Sequence, residues 1–396
     1  MATAVIVDAV RTPGGKRNGK LSGWHPADLA AECLKALAER NNLDPALVED
    51  VIMGCVMQVG SQSLNVGRNA VLAAGWPESV PSTTIDRQCG SSQQAAHFGA
   101  QGVMAGAYDI VVAAGVEVMT TTPMGASVTP GSFPFGPTVM ARYADAGGLV
   151  PQGISAEMIA DKWGISRQEL DAFGAQSQDR AIQATAEGRF ENEIIPVKAK
   201  PRDKETGELI ETDEIVTTDE GIREGTTVET LANLKPAFKP DGKVTAGSSS
   251  QICDGASAML IMSEEKAKEL GLKPRAKFHS FAVTGVDPIT MLTGPIPATQ
   301  KVLEKAGLTM DDIDLVEINE AFASVVLAWE KELSPDMSKV NVNGGAIALG
   351  HPLGGSGAKL FATLLNELER TGGRYGLVTM CEGGGMANAT IIERMD

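Results

Sequence analysis

Hydrophobic positions along the chain alternate between two patterns. Continuous apolar runs predict buried strands, and they occur at residues 4–9, 48–56, 109–118, 276–283, 313–318, 375–380 and 389–393. Runs with helical spacing predict helices at residues 26–40, 64–74, 155–183, 299–306, 320–333 and 354–370. Strands that alternate with helices in this way predict an α/β fold in which helices cover a sheet.

The stretch over residues 80–106 departs from ordinary amphipathic spacing. A β-branched segment leads to Cys89 and Gly90, and the predicted helix that follows is rich in alanine and glycine. Such a helix is expected to be closely packed on all sides, with Cys89 at the turn before it. The positive end of the helix dipole is expected to lower the pKa of the Cys89 thiol. A buried structural cysteine is the alternative.

Two pairs of segments indicate an internal duplication. Residues 42–54 match residues 307–319 with an offset of 265 (308 − 43), and residues 107–115 match residues 374–382 with an offset of 267 (375 − 108). One α/β unit used twice predicts two parallel-rich sheets and a site where the halves meet. Chance similarity between α/β units is the alternative.

The composition of the chain changes after residue 121, where threonine, proline, glycine and then acidic residues dominate. We therefore expect three parts. An N-terminal half comprises residues 1–121 and is completed by residues 248–274, an inserted domain comprises residues 122–247, and a C-terminal half comprises residues 275–396.

Charge and cysteine content restrict the classes of partner. The net charge is −16, from 34 basic and 50 acidic residues, which argues against nucleic acid or an anionic membrane as a partner. The five cysteines are odd in number and not closely paired, so a disulfide framework is not expected. The sequence shows neither a targeting segment nor an apolar run as long as a membrane span, so a cytoplasmic protein is expected.

Candidate chemistry is concentrated in three C-terminal segments. They read EINEAFA at residues 317–323, NVNGGAIALGHPLGGSG at residues 341–357 and TMCEGGGMAN at residues 379–388. Of the four histidines, only His351 lies in a glycine-rich loop, and Cys381 also precedes glycines. Glycine allows the backbone to approach a ligand closely, so these loops are candidate parts of one site.

The motifs CGSS from Cys89, NEAFA from Asn319, GHPLGGSG around His351 and CEGGG from Cys381 together resemble those of the thiolase family, in order and spacing. The resemblance extends over nearly the whole chain. It implies a duplicated, layered αβαβα fold with an inserted loop domain, and a homodimer or homotetramer.

The resemblance also implies residue roles. Cys89 is expected to be the nucleophile and His351 the base that accepts its proton. Cys381 is expected to move a proton at the α-carbon of acetyl-CoA. One oxyanion hole would combine His351 with a water held by Asn319, and the other would use the backbone N–H groups of Cys89 and Gly383. Coenzyme A is the implied co-substrate, with no metal and no permanently bound cofactor.

Substrate contacts are implied for four further residues. Ser250 and Arg223 match positions that contact coenzyme A, while Met291 and Phe322 match acyl-pocket positions, for which a core role is the alternative. The sequences of several segments are similar to those of a degradative bacterial branch that includes steroid-degrading thiolases. The expected reaction is cleavage of a 3-oxoacyl-CoA by coenzyme A into acetyl-CoA and a shortened acyl-CoA.

Three alternatives and one unusual residue accompany this interpretation. A biosynthetic acetoacetyl-CoA thiolase, a β-ketoacyl synthase and a non-catalytic CoA- or lipid-binding relative are the alternatives. A synthase needs two active-site histidines, and a non-catalytic relative is expected to have lost Cys89, His351 or Cys381. Glu382 stands where the family usually has a small apolar residue. Our hypothesis is that its side chain bonds a neighbouring N–H group or cation and braces the turn at Gly383.

Overall fold

The computed structural model describes residues 2–203 and 205–395. The strands are β1 (Ala4–Arg11), β2 (Gly15–Lys16), β3 (Asp50–Gly54), β4 (Ser82–Ile85), β5 (Ile110–Val118), β6 (Val197–Lys198), β7 (Ile215–Val216), β8 (Cys253–Ser263), β9 (Ala276–Gly285), β10 (Leu315–Ile318), β11 (Tyr375–Glu382) and β12 (Met386–Arg394). The helices are α1 (Pro26–Arg40), α2 (Val66–Ala73), α3 (Ser91–Met104), α4 (Pro137–Tyr143), α5 (Gln152–Lys162), α6 (Arg167–Ala186), α7 (Val228–Ala232), α8 (Glu264–Glu269), α9 (Pro295–Ala306), α10 (Ala323–Leu333), α11 (Ala346–Leu349) and α12 (Ser356–Thr371).

The main sheet has ten strands in the order β10-β11-β12-β9-β1-β8-β5-β3-β4, with β2 paired to β8. Its two halves meet where β1 pairs with β9, over the residue pairs Val5–Lys277 and Ile6–Ala276 only. The prediction of two parallel-rich sheets is therefore wrong. Parallel pairing occurs between β3 and its neighbours β4 and β5 and between β10 and β11, while β8, β9 and β12 run antiparallel to their partners.

Three hydrophobic cores separate the layers of the fold. One core packs α1 and α2 against the outer face of the N-terminal half of the sheet. A second packs α5, α9 and α10 against the outer face of the C-terminal half. The third lies between the halves and contains side chains of α3 and α12, together with strands of both halves. The order helix, sheet, helix, sheet, helix confirms the predicted αβαβα fold class.

The two central helices are in close contact. A Cβ placed on Gly357 of α12 would lie 2.1 Å from the backbone nitrogen of Gln93 in α3, so only glycine fits at this position. The many small residues of α3 serve the same purpose, because ten of its fourteen residues are buried. This close packing brings the N-termini of α3 and α12 together between the two sheet halves.

Strand register confirms the duplication and corrects one of its offsets. Asp50 of β3 pairs with Val111 of β5, and Leu315 of β10 pairs with Gly376 of β11. Both pairs span 61 residues (111 − 50 and 376 − 315), so the two units are related by an offset of 265 throughout. The offset of 267 proposed around Tyr375 is wrong by two residues, since Tyr375 corresponds to Ile110 and not to Tyr108.

This offset identifies further equivalent positions near the centre of the molecule. The first residue of α3, Ser91, corresponds to the first residue of α12, Ser356 (356 − 91). Glu117 near the end of β5 corresponds to Glu382 at the end of β11 (382 − 117). Both glutamates are buried. The chain between β5 and β8 contains α4 to α7 and the small β6–β7 sheet.

Candidate active site

Cys89 lies in the tight turn that joins β4 to α3. The preceding residue, Gln88, has a positive φ of 48°, and Gly90 caps the helix without a side-chain hydrogen bond. Cys89 is only 6% exposed and lines a cavity of about 670 Å³. The backbone N–H groups of Cys89 and Gly383 act on the sulfur and favour its thiolate form. The two N–H groups proposed as an oxyanion hole are therefore close enough to the sulfur to affect its ionisation.

The pKa of Cys89 differs from the expectation. Burial, and next the negative charge of Glu382, raise the pKa of the Cys89 thiol to about 12, although the two N–H groups act in the opposite direction. The predicted lowering is wrong because desolvation of a thiolate in this packed turn outweighs the favourable backbone dipoles. Cys89 is therefore a neutral thiol at rest, and it needs a base that removes its proton during the reaction.

His351 lies between α11 and α12 and lines the same cavity. Its Nδ1 is 2.5 Å from Ser356 Oγ, and the Ser356 hydroxyl donates to the carbonyl of Pro352 at 2.9 Å. Because the single hydroxyl hydrogen is used there, Ser356 accepts a hydrogen bond from Nδ1–H. The lone pair is then on Nε2, 3.4 Å from Asn319 Nδ2. His351 is thereby oriented as a base.

The neutral state of His351 has a clear cause. Burial and the positive charge of Lys359 lower the pKa of the imidazole to about 3. Lys359 is itself buried on α12, and its Nζ donates to the carbonyls of Leu349 at 2.6 Å and Gly350 at 3.2 Å. Lys359 therefore holds the loop before His351. Sequence reasoning missed Lys359 and Ser356, although both lie in or just after the GHPLGGSG motif.

Cys381 and Gly383 lie at the end of β11. Cys381 is fully buried, and its pKa is raised well above the ordinary value by burial and then by the charges of Cys89 and Glu382. The two thiols are thus close enough to affect each other's ionisation. A Cβ on Gly383 would lie 3.0 Å from Gln88 Oε1 and 3.3 Å from Gln152 Nε2, so this glycine faces the turn at Cys89 and the start of α5.

Glu382 does not form the contacts that we expected. Its side chain is fully buried, and neither carboxylate oxygen has a hydrogen-bond partner among the described residues. A Cβ on Gly90 would lie 1.9 Å from Glu382 Oε1, so the carboxyl group sits against the backbone that follows the nucleophile. The hypothesis that Glu382 bonds an N–H group or cation is therefore wrong. Burial raises the pKa of Glu382 to about 8.

The cavity brings together most of the predicted substrate-contacting residues. Ser250, Arg223 and Phe322 line it with Cys89 and His351. The ring of Phe322 makes an edge-to-face contact with Phe238, another lining residue, at 5.7 Å between centroids. The remaining lining includes two cations that sequence reasoning did not assign to the site, Lys16 and Arg17.

Met291 is the exception among the predicted substrate contacts. It begins the short 3-10 helix Met291–Thr293, is 6% exposed and belongs to the core of the C-terminal half. The described residues that line the cavity do not include it.

Two searches of the described residues concern metals and membranes. No group of three or more His, Cys, Asp or Glu side chains in residues 2–203 and 205–395 is arranged to hold a metal ion. In the same residues, no helix is both long and apolar enough to cross a membrane.

Two family models match the chain. The one described as thiolase, N-terminal domain, matches residues 4–265, and the one described as thiolase, C-terminal domain, matches residues 272–394. The chain belongs to the thiolase family. This confirms the resemblance carried by the four motifs, and it makes the protein an acyltransferase that uses acyl-CoA and coenzyme A as substrates.

Individual thiolases are similar over their full length. A steroid 3-ketoacyl-CoA thiolase, FadA6 of Mycobacterium tuberculosis, is 52% identical over 402 residues, which cover 100% of this chain and 95% of that protein. A 3-ketoacyl-CoA thiolase of Aliivibrio fischeri is 48% identical, with 100% of both chains covered. The crystal structure of human mitochondrial 3-ketoacyl-CoA thiolase superposes with a TM-score of 0.89 at 38% identity, covering 100% of this chain and 99% of that one.

Proposed function

We propose that this thiolase is degradative and cleaves 3-oxoacyl-CoA with coenzyme A, using Cys89 as nucleophile. The observation that carries the proposal is the surroundings of the Cys89 sulfur. It shares a cavity with a neutral histidine, is affected by two backbone N–H groups and lies near a second buried thiol. A nucleophile, a base, an oxyanion site and a second acid are the groups that a reversible Claisen cleavage needs.

In the first step, the Cys89 sulfur attacks the C3 carbonyl of the substrate while its proton passes to Nε2 of His351. The N–H groups of Cys89 and Gly383 would stabilise the oxygen of an acyl group attached to the sulfur, and their effect on the pKa of Cys89 supports this role. Collapse of the tetrahedral intermediate breaks the bond between C2 and C3. The acyl group then remains on Cys89, and the electron pair leaves with the enolate of acetyl-CoA.

In the second step, the enolate oxygen is stabilised by the protonated Nε2 of His351 and by a water held by Asn319. The side-chain nitrogen of Asn319 lies 3.4 Å from Nε2. Cys381 donates its proton to the α-carbon, and acetyl-CoA leaves. The thiol of a second coenzyme A gives its proton to Cys381 and attacks the acyl group on Cys89. The shortened acyl-CoA leaves, and the proton on His351 returns to Cys89.

Mass spectrometry and proton exchange test these roles separately. After mixing with acetyl-CoA alone, we expect an acetyl group on the peptide that contains Cys89. The Cys381→Ala variant should still be acetylated there but should not exchange the α-protons of acetyl-CoA with solvent. Label found only on Cys381, or exchange at the wild-type rate in Cys381→Ala, would contradict the assignment.

We infer that coenzyme A enters the cavity past Arg223, Lys16 and Arg17 and that its pantetheine arm passes Ser250. The support is the shared lining of these residues and the net charge of −16, which leaves an anionic ligand dependent on local cations. Arg223→Gln should raise the KM for coenzyme A about threefold to tenfold, as expected for loss of one exposed charge contact. The KM for a pantetheine thioester, which lacks the nucleotide phosphates, should not change in Arg223→Gln. This substrate is therefore the matched control.

We propose a fatty or steroid-derived acyl group as the substrate class. Its support is the similarity to relatives that are named 3-ketoacyl-CoA thiolase and steroid 3-ketoacyl-CoA thiolase, and the apolar residues Met119, Met124 and Phe238 in the cavity lining. A thiolysis assay across straight-chain, branched and ring-bearing 3-oxoacyl-CoAs tests it. If acetoacetyl-CoA had the highest kcat/KM, the biosynthetic alternative would be favoured.

We also propose a cytoplasmic homodimer or homotetramer, and the division into residues 1–121 with 248–274, residues 122–247 and residues 275–396. Membership of the thiolase family supports the assembly. The concentration of short elements between β5 and β8 supports the inserted part. Light scattering during size-exclusion chromatography tests the assembly, and limited proteolysis tests the division.

A further inference from the structure

Glu382 occupies the space next to the turn that presents Cys89. Its Oε1 lies where a side chain on Gly90 would be, and both of its oxygens lack a hydrogen-bond partner among the described residues. In sequence it directly follows Cys381. A carboxylate in this position has lost its water without gaining other donors, which is costly unless the group takes up a proton.

The charged and titratable groups around Glu382 come from several elements. Arg87 and Asp86 lie in the loop before α3, where the arginine favours the carboxylate and the aspartate opposes it. Arg87 forms no salt bridge with Glu382, and its buried Nε has no hydrogen-bond partner among the described residues. Cys89, in the turn before α3, and Cys381, which precedes Glu382 on β11, both lie close to the acid, since the charge of Glu382 raises the pKa of both thiols.

One more carboxylate acts on the same space from the N-terminal half. Glu117 of β5 also raises the pKa of Cys89, but more weakly than Glu382 does. Each step of the proposed reaction creates a negative charge here, on a sulfur, a carbonyl oxygen or an enolate. A carboxylate on Glu382 would add a second negative charge in the same poorly hydrated space, and the repulsion would oppose every one of these steps.

We propose that Glu382 acts as a neutral carboxylic acid beside the two reactive thiols, and that loss of its proton inhibits the reaction. The proposal rests on the roles proposed above for Cys89 and Cys381. Glu382 is a positioning residue in this scheme, because it acts on the charges of other groups and does not touch the substrate.

The ionisation of the neighbouring groups supports this role. The pKa of Glu382 is raised to about 8, whereas that of His351 is lowered to about 3 and that of Cys89 is raised to about 12. Of these three groups, Glu382 is the one that changes charge just above neutral pH. Activity should therefore fall as the pH rises through about 8, while ionisation of the coenzyme A thiol alone would make it increase.

The Glu382→Gln variant removes the charge and keeps the shape. With acetoacetyl-CoA and coenzyme A as the assay pair, kcat of the wild type should fall roughly tenfold between one pH unit below and one above the pKa of Glu382. Glu382→Gln should not show this fall. Glu265→Gln, at an exposed position on α8, is the matched control and should follow the wild type. The same alkaline fall in Glu382→Gln would overturn the proposal.

Alkylation of Cys89 by iodoacetamide gives a second readout that needs no turnover. At pH 9, Cys89 should react several-fold faster in Glu382→Gln than in the wild type, and at pH 6 the two rates should agree. This result would stand even if the proposed substrate were wrong. A rate ratio that does not change with pH would overturn the proposal.

Arg87→Gln tests the same idea with Glu382 in place, and it decides the matter if Glu382→Gln does not fold. Removal of the arginine takes away the charge that favours the Glu382 carboxylate. The alkaline fall in kcat should therefore move to higher pH in this variant. An unchanged position, or a move to lower pH, would overturn the proposal.

Discussion

Glu117 and Glu382 occupy equivalent positions in the two halves, and both are completely buried, but their surroundings are opposite. Glu117 accepts hydrogen bonds from the backbone N–H groups of Val56 at 3.0 Å, Met57 at 3.1 Å and Gly354 at 2.9 Å. It also accepts one from Gln62 Nε2 at 2.7 Å. Glu382 accepts none among the described residues.

The difference shows how one fold position serves two purposes. Glu117 ties the loop after β3 to the loop that follows His351, because Val56 and Gly354 donate to the same oxygen. This is the bracing role that we had expected of Glu382. In the C-terminal half, the equivalent carboxyl group has no such donors and lies against the backbone at Gly90. Burial raises the pKa of both acids, but the donors around Glu117 offset part of this rise, whereas Glu382 has no hydrogen bond to offset it.

The largest effect, on stability, is expected from removing the Glu117 carboxyl group that joins the two loops. Glu117→Ala leaves three backbone N–H groups and Gln62 without their acceptor, and each buried unpaired donor costs about 1–3 kcal/mol. Because water can enter part of the space, we expect a total loss of about 3–5 kcal/mol in the free energy of unfolding, measured by urea denaturation. Glu382→Ala is the matched control and should lose less. Equal losses would mean that the two acids do not differ as described.

Gly90→Ala should have the next largest effect, on activity. The backbone at Gly90 has φ −84°, which alanine tolerates, so the effect is purely steric. Its new methyl would displace the Glu382 carboxyl group and shift the turn at Cys89, and we expect roughly a 10²-fold loss in kcat. The double variant Gly90→Ala/Glu382→Ala makes room for the methyl group and should recover most of the loss. No recovery would show that the collision is not with Glu382.

Thermal stability should distinguish the two acids through its pH dependence. The pKa of Glu382 is raised to about 8 in the folded protein, above the ordinary value of about 4.3. The stability that it contributes at low pH is therefore lost as the pH rises toward about 8. Glutamine lacks this titration, so Glu382→Gln should melt a few degrees above the wild type at pH 8.5 and close to it at pH 5. A constant difference would contradict the expectation.

The smallest effect, also on stability, is expected from removing Gln62, one of the hydrogen-bond donors to Glu117. Gln62→Leu deletes one of the hydrogen bonds to Glu117, together with the bond to the Met57 carbonyl and the one accepted from the Val118 N–H group. It should therefore cost about 1–3 kcal/mol in the free energy of unfolding. Burial raises the pKa of Glu117, and the hydrogen bonds that it accepts, including the one from Gln62, offset part of this rise. Loss of the bond to Gln62 should therefore cost more at high pH, where the carboxylate forms. Gln58→Leu, in the same loop, removes a bond to the Cys55 carbonyl instead, and its cost should not depend on pH.

Local patterns predicted an α/β fold, and the resemblance to the thiolase family implied its layered arrangement. The motifs behind that resemblance also named Cys89 and His351, which the structure brings to one cavity. Apolar runs marked the strands, and the glycine-rich loops marked the ends of elements that meet at the centre. Strand direction was beyond such patterns. All eleven residues of β8 are buried, as expected of a parallel strand, yet β8 runs antiparallel to β1 and β5 because burial on both faces is independent of direction.

The electrostatics of the site depend on contacts between distant segments. The predicted pKa shift of Cys89 considered only its own helix, whereas both halves contribute to the core that buries it and its main charged neighbour comes from the C-terminal half. The hydroxyl of Ser356 and the amine of Lys359 act on His351 across the folded loop, and no spacing in the sequence indicated this. Glu382 shows the same limit, since its lack of partners is visible only in three dimensions.

The two halves of the main sheet are joined by only two residue pairs between β1 and β9, a boundary that we call the seam. This short pairing has a consequence for how the enzyme can be divided. Cys89 belongs to the half before the seam, and His351 and Cys381 belong to the half after it, so neither half alone carries a complete set of reactive groups. A polypeptide cut in the partly exposed turn between α8 and β9 would yield two inactive fragments, and the α5 side chains that complete the outer core of the C-terminal half would lie on the other fragment. Reassociation of the two fragments would be reported directly by recovered thiolysis, which makes this chain a natural scaffold for a split-enzyme sensor.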